Sequence, residues 1–229
     1  MVSVSFFKFQ GFKKRWWAFS QMGKGKQLFK NTEGLSFKKM MGSGANGGFS
    51  IFPNFGLYGV ICVWENAAAQ EHFFEYNEEL ALFRKNSVAH QDIFLEPLSS
   101  HGAWDKQNPF KITTQTEKTP PNQKIAVITR ATIYWQKLHK FWYYVPSASK
   151  NMQNQEGLRL ALGIGELPLI QQATFSIWDS SQAMQQYAYK NKSHKVVIEK
   201  TRKYQWYKEE LFARFAVKDV QGNLWDNLL

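Results

Sequence analysis

The chain has a single cysteine, Cys62, among its 229 residues, which excludes an internal disulfide and any zinc site built from several cysteines. No run of about 18 apolar residues occurs, so the sequence predicts no membrane-spanning helix. The first residues lack a cationic region followed by an apolar stretch, and we therefore expect no secretory signal and a cytoplasmic protein. Five histidines are present, but their spacing matches no metal-binding motif.

Acidic residues are scarce at the N-terminal end. Residues 1–40 contain nine lysines and arginines against one acidic residue, Glu33, and so hold +8 of the formal net charge of +11. This segment, named here the basic lobe, is suited to an anionic bilayer, an acidic protein or nucleic acid. The alternative is that the basic lobe is a solvated surface with no binding partner.

The most informative feature present is an internal duplication. Residues 5–19 read SFFKFQGFKKRWWAF and residues 130–144 read RATIYWQKLHKFWYY, with paired aromatic residues in matching places. Further along, GLYGVICVW ends at Trp64 and QQATFSIW ends at Trp178, and each is followed by polar residues typical of a helix start. A repeat of this length is too long for a solenoid unit and indicates two tandem copies of a small domain.

Each copy predicts the order βαββαβ, a ferredoxin-like unit. The first has strands over 2–9, 35–41, 56–64 and 88–95 with helices over 12–22 and 66–85; the second has strands over 124–133, 158–163, 171–178 and 211–217 with helices over 136–145 and 180–203. We expect Pro146 to end its helix, and Asp179 with Gln182 resembles a capping box.

The predicted organisation is a first repeat over 1–98, a linker over 99–123 rich in Pro, Thr and Asn, and a second repeat over 124–229. The fold class is α+β, with two ferredoxin-like repeats packing their bare sheet faces into a dimeric α/β-barrel-type fold within one chain. We expect six apolar strand residues to fill the barrel: Ile125, Val127, Phe175, Ile177, Phe212 and Phe215.

Among the histidines, His194 stands out. Positions three, four and seven after it are Val197, Ile198 and Thr201, which places His194 on the largely apolar face of a predicted helix. An inward-facing imidazole can be a core residue with its hydrogen bonds satisfied, a general base or an axial metal ligand. These three interpretations remain open on the residues alone.

Several segments, in order along nearly the whole chain, resemble the spheroidene monooxygenases, bacterial carotenoid ketolases. They are Lys14–Gly23 (KRWWAFSQMG, with Lys where the family has Arg), Thr129–Ile133, Phe141-Trp142 with Val145-Pro146, Gly163–Glu166 with Pro168, Thr174–Trp178, and His194 with Arg202, Trp206 and Glu209–Phe215.

This resemblance implies a b-type haem enzyme that uses O2 and an external electron donor, such as a ferredoxin, to oxidise an apolar polyene. It also implies that His194 is the iron ligand, with one haem per chain in the second repeat. A haem-dependent oxygenase needs polar groups around bound oxygen and the cofactor. Polar residues on the predicted strands are therefore expected in two roles, Arg130, Gln172 and Arg214 as catalytic residues and Arg130 and Ser176 as cofactor-binding residues.

The remaining expectations concern partners and alternative functions. We expect an apolar small-molecule substrate, a homodimer, peripheral contact with a membrane and no nucleic acid. Another haem reaction on the same scaffold, such as aldoxime dehydration or peroxide-driven oxidation of a small nitrogen compound, is the main alternative. A tandem RNA-binding module is the other, although the third strand of each copy matches the RNA-recognition pattern poorly.

Overall fold

The computed structural model describes residues 1–229 except 46, 48, 49, 111, 113–119, 121, 154, 191–199, 202, 227 and 229. The first repeat contains β1 (Val2–Lys8), α1 (Phe12–Gly23), β2 (Leu35–Gly44), β3 (Pro53–Trp64), α2 (Ala67–Tyr76), α3 (Glu78–Asn86) and β4 (Ala89–Gly102). The second contains β5 (Ile125–Ile133), a 3₁₀ turn (Trp135–Lys137), α4 (Leu138–Gln153), β6 (Leu158–Leu167), β7 (Gln171–Trp178), α5 (Ser181–Lys190) and β8 (Tyr207–Gly222).

The eight strands form one closed antiparallel barrel in the order β1-β3-β2-β6-β7-β5-β8-β4. Two seams join the repeats. Strand β4 pairs with β8 along most of its length, and β2 meets β6 at Gly42 and Ser43, which lie opposite Gly165 and Ile164. The barrel closes within one chain, which confirms the predicted fold class; the homodimer stays a prediction.

Strand register confirms the duplication. Trp64 pairs with Leu35 and Trp178 pairs with Leu158, and in both hairpins the register shifts directly after that pair. The preceding glycines, Gly34 and Gly157, have φ of 68° and 75°. The two halves therefore share irregular details as well as element order, as expected for copies of one ancestral unit.

Helix caps also repeat between the copies. The Asn66 side chain accepts a hydrogen bond from the Ala69 N–H at 2.9 Å, and the Ser180 hydroxyl accepts one from the Ala183 N–H at 3.1 Å. The cap of α5 is thus Ser180, one residue after the predicted Asp179, whose carboxylate instead pairs with Arg159 at 2.6 Å.

The barrel interior follows from the alternation of side chains along each strand. Phe175, Ile177 and Phe215 point inward and are fully buried, as predicted. The same expectation was wrong for Ile125, Val127 and Phe212. In β5 the even-numbered residues, such as Ala126 and Ile128, point inward, and in β8 the odd-numbered ones, such as Ala213, do so. Ile125, Val127 and Phe212 therefore point outward.

Two predicted boundaries also move. Helix α4 continues through position 146 to Gln153, because a helix can carry a proline at the cost of a missing N–H donor and a local distortion. Strand β4 extends to Gly102, since its last residues pair with β8, so the first part of the expected linker is strand. No helix among the described residues is long and apolar enough to cross a membrane.

The barrel bears on the RNA-binding alternative. Such modules stack bases on an open sheet face. Here Val60 and Ile61, at the centre of β3, are both buried, one beneath the helices and the other inside the barrel. The first half-sheet therefore offers no open face at that position.

Candidate functional site

The outer face of the first half-barrel is filled by large side chains. Beneath α1, α2 and α3, thirteen buried residues form one continuous cluster. Its aromatic contacts include Phe7 with Phe83 at 5.2 Å and Trp17 with Phe83 at 5.1 Å between ring centroids. The space between this half of the sheet and its helices is closed by packing.

The described side chains fill the corresponding face of the second half-barrel less completely. Register aligns four buried residues of the first repeat, Phe7, Met40, Tyr58 and Val60, with four smaller or more polar ones, Ala131, Gly163, Gln172 and Thr174. The described apolar residues here form two separate clusters of five and three buried residues. This part of the outer sheet face, which the described side chains fill less than in the first repeat, is named here the β5 cradle.

The floor of the β5 cradle consists of three rows of residues across four strands. The rows are Ala161, Ser176, Val127 and Arg214; Gly163, Thr174, Thr129 and Phe212; and Gly165, Gln172, Ala131 and Glu210. With strands about 4.8 Å apart and alternate residues about 7 Å apart, the floor measures roughly 14 Å by 14 Å. Thr129, in the middle of β5, is exposed, and Phe212 is 38% exposed.

Three predicted site residues lie on this floor. The Ser176 hydroxyl is buried and accepts a hydrogen bond from the Trp178 indole at 3.0 Å. Arg214 donates from Nε to the Ser99 hydroxyl at 2.8 Å, a bond that uses one of the five N–H groups of its guanidinium. Gln172 is half-buried on the opposite row. Ser176 and Arg214, two strands apart, are separated by about 10 Å at the backbone.

Arg130 lies on the other face of the same sheet. It is 1% exposed, inside one end of the barrel, where its guanidinium contacts Glu209 and lies 3.4 Å from Glu166. The Trp104 ring packs 5.5 Å from its central carbon, and the Trp104 indole donates to Glu166 at 2.7 Å. The expected grouping of Arg130 with Gln172 and Arg214 is therefore not what the structure shows.

The surroundings of Arg130 form a network that joins the two repeats. Lys39 of β2 lies 2.6 Å from Glu166 of β6 and also contacts Asp105. Burial opposes ionisation of Glu209, but hydrogen bonds from the backbone N–H groups of Lys106 and Asp105 and from Arg130 outweigh it and lower the pKa of Glu209. These contacts seal the barrel end and leave Arg130 surrounded by carboxylates.

Aromatic residues border the β5 cradle at both ends. Trp178 stacks on Tyr187 of α5 at 5.2 Å, and burial raises the pKa of Tyr187 to about 12, so that its phenol stays neutral. At the other end Trp206 stacks between Tyr144 and Tyr204 at 5.8 Å and 5.7 Å. The Trp206 indole N–H is buried and has no hydrogen-bond partner among the described residues.

His194, the predicted iron ligand, lies outside the described residues, in the segment between α5 and β8. Within the part of the chain that the structure describes, no three His, Cys, Asp or Glu side chains are placed to hold a metal ion together. Sequence reasoning missed the small residues of the floor, Thr129, Ala131 and Gly163. Aligning the two copies position by position would have revealed them, but only the strand register supplies that alignment.

Three relatives named spheroidene monooxygenase match nearly the whole chain. The protein of Cereibacter sphaeroides is 31% identical over 226 residues, 98% of this chain and 68% of the relative. That of Rhodobacter capsulatus is 30% identical over 97% of this chain and 92% of the relative. The Rubrivivax gelatinosus protein is 31% identical over 91% and 78%, respectively. No protein-family model matches the chain.

Solved structures show similarity of fold. An aldoxime dehydratase superposes with a TM-score of 0.66 at 12% identity and covers 95% of this chain and 81% of its own. A second aldoxime dehydratase structure, in complex with butyraldoxime, gives a TM-score of 0.59 at 12% identity, over 95% and 79% of the two chains. At this identity the match describes the barrel alone.

Proposed function

Since the chain belongs to the spheroidene monooxygenase family, we propose that it is a haem-dependent enzyme that inserts oxygen from O2 into a C–H bond of an apolar, carotenoid-like molecule. Family membership makes the chain an oxidoreductase of the monooxygenase type, which acts with O2 on a small molecule. The haem, its ligand and the polyene substrate are the finer parts of the proposal.

The β5 cradle is the observation that carries the haem assignment. On its floor Ala131, Gly163 and Gln172 stand at the positions where the first repeat has Phe7, Met40 and Tyr58, and Thr129 at its centre is exposed. A closed apolar cluster gains stability from such side chains, so their replacement in one copy supports the binding of another group at this face. A flat macrocycle with an apolar face and carboxylate edges has the shape and polarity to do so.

Two residues suit the parts of a haem. By the family resemblance His194 would bind the iron, and Arg214 on the cradle floor would pair with a propionate carboxylate. Ser176 and Gln172 place a hydroxyl and an amide on the floor, where they orient polar groups. Bound haem supplies the reductive activation of O2. Arg130 is given no role at the haem, because its guanidinium already faces Glu166 and Glu209 inside the barrel.

The reaction requires electrons from outside the chain. One atom of O2 enters the C–H bond as a hydroxyl and the other leaves as water, which consumes two electrons and two protons. We assign the electrons to an external donor, for which an acidic ferredoxin-type protein suits the basic lobe. The apolar walls on either side of the cradle, Trp178 with Tyr187 and Trp206 with Tyr144, suit a polyene and exclude water.

The haem assignment is tested by absorption spectroscopy of the purified protein supplied with haem. We expect a Soret band and a pigment that acidified organic solvent extracts. Thr129→Trp fills the exposed centre of the cradle and should abolish haem binding, whereas Lys208→Trp, at an exposed position of β8, should not. Equal haem content in the two variants would contradict the location.

The ligand is tested separately. His194→Ala should abolish or strongly shift the Soret band, while His139→Ala, at an exposed position of α4, should leave it unchanged. An unchanged absorption spectrum in the His194 variant would mean that another residue is the ligand.

The reaction is tested by incubating the reduced enzyme with ¹⁸O2 and a carotenoid, and the hydroxylated product should carry the label. Turnover of an aldoxime without O2 would instead support the alternative haem chemistry.

A further inference from the structure

Helix α1 presents a stripe of exposed aromatic side chains to solvent. Phe12, Trp16 and Phe19 follow one another at helical spacing and are 83%, 62% and 44% exposed. The opposite side of the helix is anchored, since Trp17 packs on Phe83 and Ala18 is fully buried. The stripe therefore does not result from a loosely placed helix.

The stripe continues onto neighbouring segments. Phe55, at the start of β3, packs edge-on against Phe19 at 5.6 Å and is itself 46% exposed. The loop that leads into β3 adds Ile51 and Phe52, which are 53% and 69% exposed. An exposed apolar surface that spans a helix, a loop and a strand is unusual for a surface that faces only water.

Positive charge accompanies this surface. Lys13 and Lys14 are exposed on the first turn of α1, and Lys24, Lys26 and Lys30 are exposed in the turns that follow it. Residues 1–64 contain one acidic residue, Glu33. Lysines beside exposed phenylalanine and tryptophan side chains are the composition of helices that lie in the interface of an anionic bilayer.

We propose that this surface, consisting of Phe12, Trp16, Phe19, Ile51, Phe52 and Phe55 with the neighbouring lysines, docks the protein on an anionic phospholipid membrane. The aromatic side chains enter the headgroup region while Lys13 and Lys14 contact lipid phosphates. An acidic protein would satisfy the lysines but would leave large rings such as Phe12 without an apolar partner, so the exposed area favours lipid. The inference goes beyond the proposed reaction, because docking requires neither haem nor substrate.

The test is co-sedimentation of the purified full-length chain with vesicles. The chain should bind vesicles of phosphatidylcholine and phosphatidylglycerol in equal parts, bind phosphatidylcholine vesicles weakly, and be partly released by salt. The double variant Trp16→Ser/Phe19→Ser should lower the partition coefficient roughly tenfold. Lys13→Glu/Lys14→Glu should lower it by a similar factor, roughly tenfold, on the anionic vesicles only.

Matched variants separate docking from general effects. Tyr76→Ser removes an aromatic ring of α2 that is 62% exposed, as Trp16 is, and should bind like the unaltered chain. Lys85→Glu/Lys106→Glu makes the same charge change at exposed positions outside the basic lobe. Absence of vesicle binding by the unaltered chain would overturn the proposal. So would normal binding by the Trp16/Phe19 variant, since charge alone would then govern the attraction and an acidic protein would be the better partner. Haem content is measured on the same samples, so loss of docking is distinguishable from failure of the proposed function.

Discussion

Replacing Arg130 by methionine distinguishes the catalytic role expected from the sequence from the structural role that its contacts indicate. Methionine keeps most of the side-chain length and its packing on Trp104, but removes the charge that faces Glu166 and Glu209. If Arg130 were a catalytic group, the variant would fold normally and lose activity. The structure instead predicts a loss of stability, because the guanidinium is buried inside one end of the barrel against two carboxylates.

The magnitude follows from what each carboxylate retains. Removing one member of a buried ion pair costs about 3–5 kcal/mol. Glu166 keeps Lys39 and the Trp104 indole, and Glu209 keeps two backbone N–H donors, so the lower end of about 3 kcal/mol applies here. For a chain of this length that corresponds to a fall in melting temperature of roughly 6–12 °C.

The assay is thermal and urea unfolding of Arg130→Met beside Arg214→Met. Among the described residues Arg214 makes one side-chain hydrogen bond, to Ser99, so its variant should lose about 1 kcal/mol and, by the proposed function, much of its haem. The Arg130 variant should therefore lose mainly stability, whereas the Arg214 variant should lose mainly haem. An Arg130→Met protein with unchanged melting temperature and no activity would refute the reasoning and return Arg130 to the reaction.

Two further predictions concern backbone and pH. Gly34→Ala and Gly157→Ala should each destabilise by about 1–2 kcal/mol, because both glycines have positive φ and a new Cβ would lie 2.5 Å and 2.7 Å from Ala69 and Ala183, whereas Gly23→Ala, with nothing within 4 Å, should be neutral in urea unfolding. The lowered pKa of Glu209 means that its contribution to stability is present above the ordinary value of 4.5 and is lost as pH falls through the lower pKa of the folded state. Melting temperatures measured between neutral and acid pH should therefore fall less steeply in Glu209→Gln than in the unaltered chain, and equal slopes would contradict the assignment.

Local sequence signals were sufficient for the order of the elements. The Trp64 and Trp178 ends of β3 and β7, the polar helix starts after them and the repeated aromatic pairs all concern neighbours in sequence. Hydrophobic periodicity and capping act over a few residues, so they predict strands and helices before any tertiary contact forms. The family was likewise recognisable from short segments in a conserved order along this chain, and the relatives confirm it.

The faces of the strands were decided only by closure of the barrel. Alternation divides the residues of a strand such as β5 into two faces, but it does not say which face is interior. That depends on the pairing of β4 with β8 and of β2 with β6, strands that lie more than a hundred residues apart in sequence. Closure of the barrel by that long-range pairing left Arg130 inside and Phe212 outside. The pairing of β1 with β3 and of β5 with β7 within each repeat aligned Phe7 with Ala131 and so revealed the cradle. His194 as the haem ligand stays a prediction from sequence. The sequence by itself therefore determined the elements, the duplication and the family, whereas the tertiary structure decided which side chains share a surface, because a one-residue shift in register exchanges the two faces of every strand.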